Sequence, residues 1–459
     1  MRNKEKKAKT VVKRRTKDLT VGPIAKNLMV FVLPLIFTNL LQQLYTVADR
    51  IVVGQFAENG AIALAAVGST GSATALLVTL FNGLASGVSI VCANLRGARE
   101  QEKLRTTMHT SLVLSAISGA FLLVVGVLFA RKMLVLMNVP KDMLEMACLY
   151  VRLYFLGVPA SLLYNAGSAM LRAHGDSRRP MIVLSVSGLA NVALNLVLVI
   201  GFRMSVAGVA IATVTSQVIS AVWILSILFS KRDVFRLRVQ ELRIHKAAAK
   251  QLLVVAIPCG INGIAFCFPN MVLQATVNIF GTEVVAGNVA TDSITVLLIQ
   301  VMAAFYSATV SFVGQNFGAK NYKRVDRTVL ISNLYSCGIV IGLSVLCMIF
   351  SDPLMALFND DPEVIKAGTP KLNLYCTYCA LYAASQVLLG AVRGLKKTLV
   401  PSIINISTIC GIRILWILLI FPLRPTADMV YWCYPISWAC SFAGLLAAYF
   451  YYRKKLFVE

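Results

Sequence analysis

Charge is scarce in this chain of 459 residues: Asp and Glu number 20, Lys and Arg 44, and only 14% of residues are charged against 58% hydrophobic. That balance, with a mean hydropathy of +0.75, excludes a water-soluble globule of ordinary make-up and points to a polytopic membrane protein. Histidine is scarcer still. His109, His174 and His245 all fall at or beyond the ends of apolar runs, so no intramembrane histidine metal site is expected. No helix-borne pair of acids offers general acid–base chemistry. An enzyme is therefore not expected, and no metal or cofactor is called for. The eleven Cys have no paired external framework, which argues against a disulfide scaffold. Cys376 and Cys379 of CTYC read as helix-packing side chains. The basic opening stretch, RNKEKKAKTVVKRRTK, lacks the apolar core of a cleavable signal.

What the chain does have is length of apolar run. Twelve stretches of about 20 residues or more are read at 27–54, 61–95, 106–130, 143–170, 180–201, 204–229, 251–280, 284–315, 328–350, 364–392, 398–421 and 428–452. The expected fold is an all-α membrane protein with twelve transmembrane helices. The net charge of +24 marks topology rather than a nucleic-acid partner, because 34 of the 44 basic residues fall in the tail and alternate loops of one side. Seven fall in the opposite loops, Lys371 counted among them, and Arg50, Arg152 and Arg413 lie within helices. By the positive-inside rule both termini are cytoplasmic, and the protein is a multi-pass component of a plasma membrane, that of a bacterial inner membrane.

The sequence is also written twice, at an offset of 221 residues. Asn94, Gly97 and Ala98 recur as Gln315, Gly318 and Ala319, Arg172 as Arg393, and Pro180 as Pro401. Four segments follow: a basic tail (1–26), a six-helix lobe (27–229), a cytoplasmic linker (230–250) and a second six-helix lobe (251–459). Because six is even, both lobes insert with the same orientation about an axis along the membrane normal, and a binding cavity is expected between them. The linker alternates enough (Val234, Phe235, Leu237, Val239, Leu242, Ile244) to lie on a membrane surface or to serve as a tether. Pro34 and Pro258 correspond at a slightly longer offset, and both are candidate helix hinges.

The first run, FVLPLIFTNLLQQLYTVADRIVVG, contains one carboxylate, Asp49. An uncompensated charge at membrane depth costs about 2.5 to 3.5 kcal/mol on insertion scales, so such an acid usually faces a cavity and does work. At about 1.5 Å per residue, Asp49, Asn195 and Thr213 each lie roughly 7 to 14 Å from the outer helix ends and share a layer. Tyr45 stands one turn before Asp49, and Asn191 one turn before Asn195. Asn39, Gln42, Asn165, Asn270, Gln274, Asp292 and Gln300 are candidates for the substrate cavity, although most helical amides simply bond neighbouring helices.

The NLRGARE and GQNFGAK segments, the LRAHGDSRRP and VRGLKKTLVP segments, the proline and acid of the first run and the doubled six-helix pattern together resemble the multidrug and toxic compound extrusion (MATE) family. The resemblance spans nearly the whole chain beyond the tail. It implies the MATE-like fold of the multidrug/oligosaccharidyl-lipid/polysaccharide flippase superfamily. It further implies a cation site formed by Tyr45, Asp49, Asn191, Asn195 and Thr213. Asn195 departs from the pattern, since the family places a carboxylate there. The acids that mark the sodium-coupled branch in the seventh and tenth helices are absent. The expectation is a cation-coupled antiporter, with H+ favoured over Na+, that exports amphiphilic organic cations by alternating access. It would act as a monomer among membrane lipids, on small-molecule substrates. A flippase for a lipid-linked saccharide, or an exporter of some other metabolite, is the alternative.

Overall fold

A computed structural model describes residues 18–56, 60–137, 139–230, 234–358 and 360–457. The basic tail expected at 1–26 thus lies mostly outside the described residues. Among the described residues twelve long apolar helices are present: α1 (Ile24–Phe56), α2 (Gly60–Gly97), α3 (Gln101–Leu136), α4 (Lys141–Ala173), α5 (Arg178–Gly201), α6 (Ser205–Ser230), α7 (Lys246–Phe280), α8 (Thr282–Gly318), α9 (Tyr322–Ile349), α10 (Pro362–Gly394), α11 (Leu399–Leu423) and α12 (Ala427–Leu456). No strand occurs among the described residues. Several helices outrun their apolar stretches by a turn or more, and two helix starts carry side-chain caps. Asp361 accepts from the Glu363 N–H with Pro362 in the first turn, and Asn321 accepts from the Arg324 N–H.

The doubling is written in the backbone as well. Arg99 (φ 57°) after α2 and Lys320 (φ 56°) after α8 adopt the left-handed conformation, as do Gly175 (φ 84°) after α4 and Lys396 (φ 62°) after α10. Each left-handed residue lets the chain close a turn over the helix end. Glu100 N–H reaches the Leu95 carbonyl as Asn321 N–H reaches that of Asn316, and Asp176 N–H reaches Leu171 as Lys397 N–H reaches Val392. In α5 the last turns, Leu196–Gly201, widen to a π-helix; α11 has π-turns at Ile406–Gly411 and Trp416–Ile420.

The chain divides into two compact units. Of the described chain, the first comprises Asp18 and Leu33–Gly260; the second comprises Leu19–Val32 and the described residues from Ile261 onward. The opening of α1 therefore belongs to the second unit, and the opening of α7 to the first. Within the second unit the Leu19 N–H donates to Gln315 Oε1, Asn316 Nδ2 donates to the Leu19 carbonyl, and Phe31 meets Phe312 edge to face. Within the first, Gly83 and Gly260 bring α2 and α7 together so closely that a Cβ on Gly83 would stand 2.5 Å from the Gly260 nitrogen.

The linker is built into the first unit rather than laid on a membrane. Phe235 is fully buried with its ring 4.1 Å from that of His174, and Leu237 is buried too, whereas Val239 and Ile244 are exposed. Arg238 N–H donates to His109 Nε2 (2.9 Å), His245 N–H donates to Thr110 Oγ1 (3.2 Å), and Arg105 pairs with Glu241. His109 Nδ1 donates to the Arg105 carbonyl, which fixes its tautomer.

Candidate functional site

In the first unit four of the five expected cation-site residues form one chain of hydrogen bonds. Asn195 ends the regular part of α5 and is fully buried; its Nδ2 donates to Asp49 Oδ1 (2.5 Å) and to Asn191 Oδ1 (3.3 Å). Asn191 Nδ2 reaches Thr213 Oγ1 at 3.5 Å. The i, i+4 spacing on α5 stacks the two amides against the acid of α1 and the hydroxyl of α6. Tyr45 sits beside this chain without joining it. Its hydroxyl donates to the Ser185 carbonyl (3.1 Å), and its ring lies so near Gly188 that a Cβ there would approach it to 1.8 Å.

One atom of this cluster is unsatisfied. Asn195 Oδ1 is buried and has no hydrogen-bond partner. An orphaned acceptor of this kind costs about 1 to 3 kcal/mol.

The residues expected in the substrate cavity separate. Asn270, Gln274 and Asp292 line one chamber of about 310 Å³ inside the second unit, together with Tyr375, Tyr382, Arg413, Tyr431, Tyr434 and Trp438. Asn165 lies in the first unit, where its Nδ2 donates to Asn82 Oδ1 (3.0 Å). Asn39 and Gln42 lie along α1, half-buried and exposed, and half-buried Gln300 lies on α8 beyond the residues that line the chamber.

The charge sorting had no place for the partner of Asp292. Lys371, counted there with an outer loop, lies within α10 and is 1% exposed; its Nζ donates to Asp292 Oδ1 (2.5 Å) and Asn288 Oδ1 (2.7 Å). Asn288 Nδ2 in turn bonds Gln274 Oε1 and Asp292 Oδ2. The signal that could have found it was the run read at 364–392 itself, which already contains Lys371.

The family model MatE matches residues 34–197 and 258–418, one stretch in each half. The chain belongs to the MATE family. It is 27% identical over 439 residues to "Probable multidrug resistance protein YoeA" of Bacillus subtilis, covering 93% of each chain. It is 26% identical to "Probable multidrug resistance protein NorM" of Thermotoga maritima, over 86% of this chain and 85% of that one. Among solved structures it resembles the "Outward-facing conformation of a multidrug resistance MATE family transporter of the MOP superfamily", with a TM-score of 0.85 at 22% identity over 95% of this chain and 97% of that one. This MATE protein is a twelve-span membrane transporter and not an enzyme.

Proposed function

We propose that the protein is a proton-coupled antiporter that exports amphiphilic organic compounds, organic cations first among them, from the cytoplasm across a bacterial plasma membrane. Both termini lie on the cytoplasmic side, as the basic loops require. Names of relatives such as "Multidrug export protein MepA" of Staphylococcus aureus support the export of varied compounds.

The observation that carries the coupling role is the orphaned Asn195 Oδ1 beside Asp49. When Asp49 is ionised, the Asn195 amide N–H donates to it. When Asp49 takes up a proton, the amide turns over, and Oδ1 accepts from the new O–H. Both protonation states thus find a partner in the same cluster, which is what a reversible proton carrier requires. Sodium would draw on the same oxygens, but one carboxylate among amides gives it a single full charge, and proton exchange needs only that one group.

In proteoliposomes, Asp49→Asn removes the ionisable group at nearly constant shape. Export driven by an imposed proton gradient is expected to fall at least a hundredfold, while the purified variant melts within a few degrees of the wild type. Gradient-driven export at the wild-type rate would overturn the role of Asp49. Equal rates under a proton gradient and under a sodium gradient of the same size would overturn the choice of ion.

A further inference from the structure

The chamber of the second unit is charged in the opposite sense to the Asp49 cluster. Asp292 is answered by Lys371 and Asn288, which leaves Arg413 as the surplus charge among its lining residues. Arg413 is 5% exposed, its Nε donates to Ser437 Oγ (3.1 Å), and its guanidinium lies 4.5 Å from the centre of the Tyr434 ring. Its two terminal nitrogens have no protein acceptor among the described residues. Tyr431, also lining the chamber and 2% exposed, has a buried hydroxyl with no hydrogen-bond partner. Two sets of unanswered donors therefore meet in one cavity. The helix turn that carries Tyr431 holds one further acid, Asp428.

The remaining wall is aromatic. Trp438 meets Tyr375 edge to face (4.8 Å) and stacks on Tyr382 (5.5 Å), and Tyr434 lies 5.8 Å from Trp438. The backbone is also irregular here. Arg413 follows the π-turn Ile406–Gly411, while the corresponding stretch of α5 is regular α-helix, and π-turns inside helices gather at functional sites.

We infer that this chamber binds the carboxylate of a planar aromatic compound. The guanidinium fork of Arg413 and the Tyr431 hydroxyl hold the two oxygens, and the ring lies against Tyr434 and Trp438. Guanidinium and carboxylate match as a bidentate, charge-assisted pair, and a cavity of about 310 Å³ takes a fused two-ring system. The chamber lies wholly within the second unit, so its ligand does not depend on the coupling role given to Asp49.

The test uses the full chain in lipid nanodiscs and calorimetric titration with 1-naphthoate and 1-naphthylmethylammonium, which share a ring system and carry opposite charges. Naphthoate is expected to bind at least tenfold more tightly. Arg413→Gln should weaken naphthoate at least tenfold, and Tyr431→Phe, which removes one hydroxyl, should weaken it severalfold. Asp49→Asn should leave it within twofold, so a failure of the coupling reading would not be mistaken for a failure here. If Arg413→Gln does not yield a monodisperse protein, Arg413→Lys, which keeps the charge and loses the fork, together with Tyr431→Phe decides the matter. Equal affinity for the two compounds, no heat from naphthoate at millimolar concentration, or affinity for naphthoate unmoved by substitution at both positions would overturn the inference.

Discussion

At the scale of single residues the two units hold opposite chemistry in comparable surroundings, a lone acid among amides in one and a surplus guanidinium among aromatics in the other. The acid was legible because a carboxylate in an apolar run stands out from sequence alone, and spacing on α5 put Asn191 and Asn195 on one face. Lys371 was not legible in the same way. The run read at 364–392 contains it, but a lysine that near the start of an apolar run was counted with the loop before it, and its partner Asp292 lies on another helix 79 positions away. Asn195 itself offers a sharp test. Asn195→Asp would set a second carboxylate 2.5 Å from the first, and two acids that close share one proton rather than ionise independently. The rate of export plotted against pH is then expected to change from one titration step to two. A profile superimposable on the wild type would mean that position 195 does not sense the ionisation of Asp49.

At the scale of elements, the linker shows where patterning misleads. Its alternation of apolar residues suits a membrane surface, yet Phe235 and Leu237 are spent on the end of the first unit, and polar groups of α3 clasp the rest. Periodicity records which residues want burial and says nothing of the surface that buries them. The clasp has a predictable pH dependence. Desolvation of Glu241 is the largest single effect and works the other way, but the hydrogen bond and charge of Arg105, with the charge of Arg238, together hold its carboxylate below the ordinary carboxylate value. A group depressed on docking supplies stability that is present at neutral pH and is lost as pH falls through its lowered value. Hydrogen-exchange protection of the Arg238 and His245 amides should therefore be high at pH 7 and decline in acid. Glu241→Gln should bring the neutral-pH protection down toward the acid level. Protection unchanged by the substitution would place the clasp in the backbone contacts to His109 and Thr110 alone.

At the scale of the whole molecule, the twelve spans and their doubling were legible because both rest on repeated local features: apolar runs, and paired turns such as those at Arg99 and Lys320 or Gly175 and Lys396. Which unit each piece joins was not legible, since that depends on contacts far apart in sequence. The passages fall at Val32 to Leu33 and Gly260 to Ile261, within two residues of Pro34 and Pro258. A proline inside a helix withholds one backbone hydrogen bond, so the helix bends there at less cost than elsewhere. A transporter that works by alternating access needs such compliance where one helix contributes to two units. Pro34→Ala and Pro258→Ala each restore the missing donor and stiffen the helix. Each is expected to slow gradient-driven export severalfold, and the double substitution more, while affinity for substrate in nanodiscs stays within twofold and thermal stability is kept or gained. A loss of affinity that matches the loss of rate would assign the prolines to shaping the binding site. Full-rate export by the double variant would make them tolerated kinks, and the compliance would then have to reside in the broken turn of α7 at Phe266.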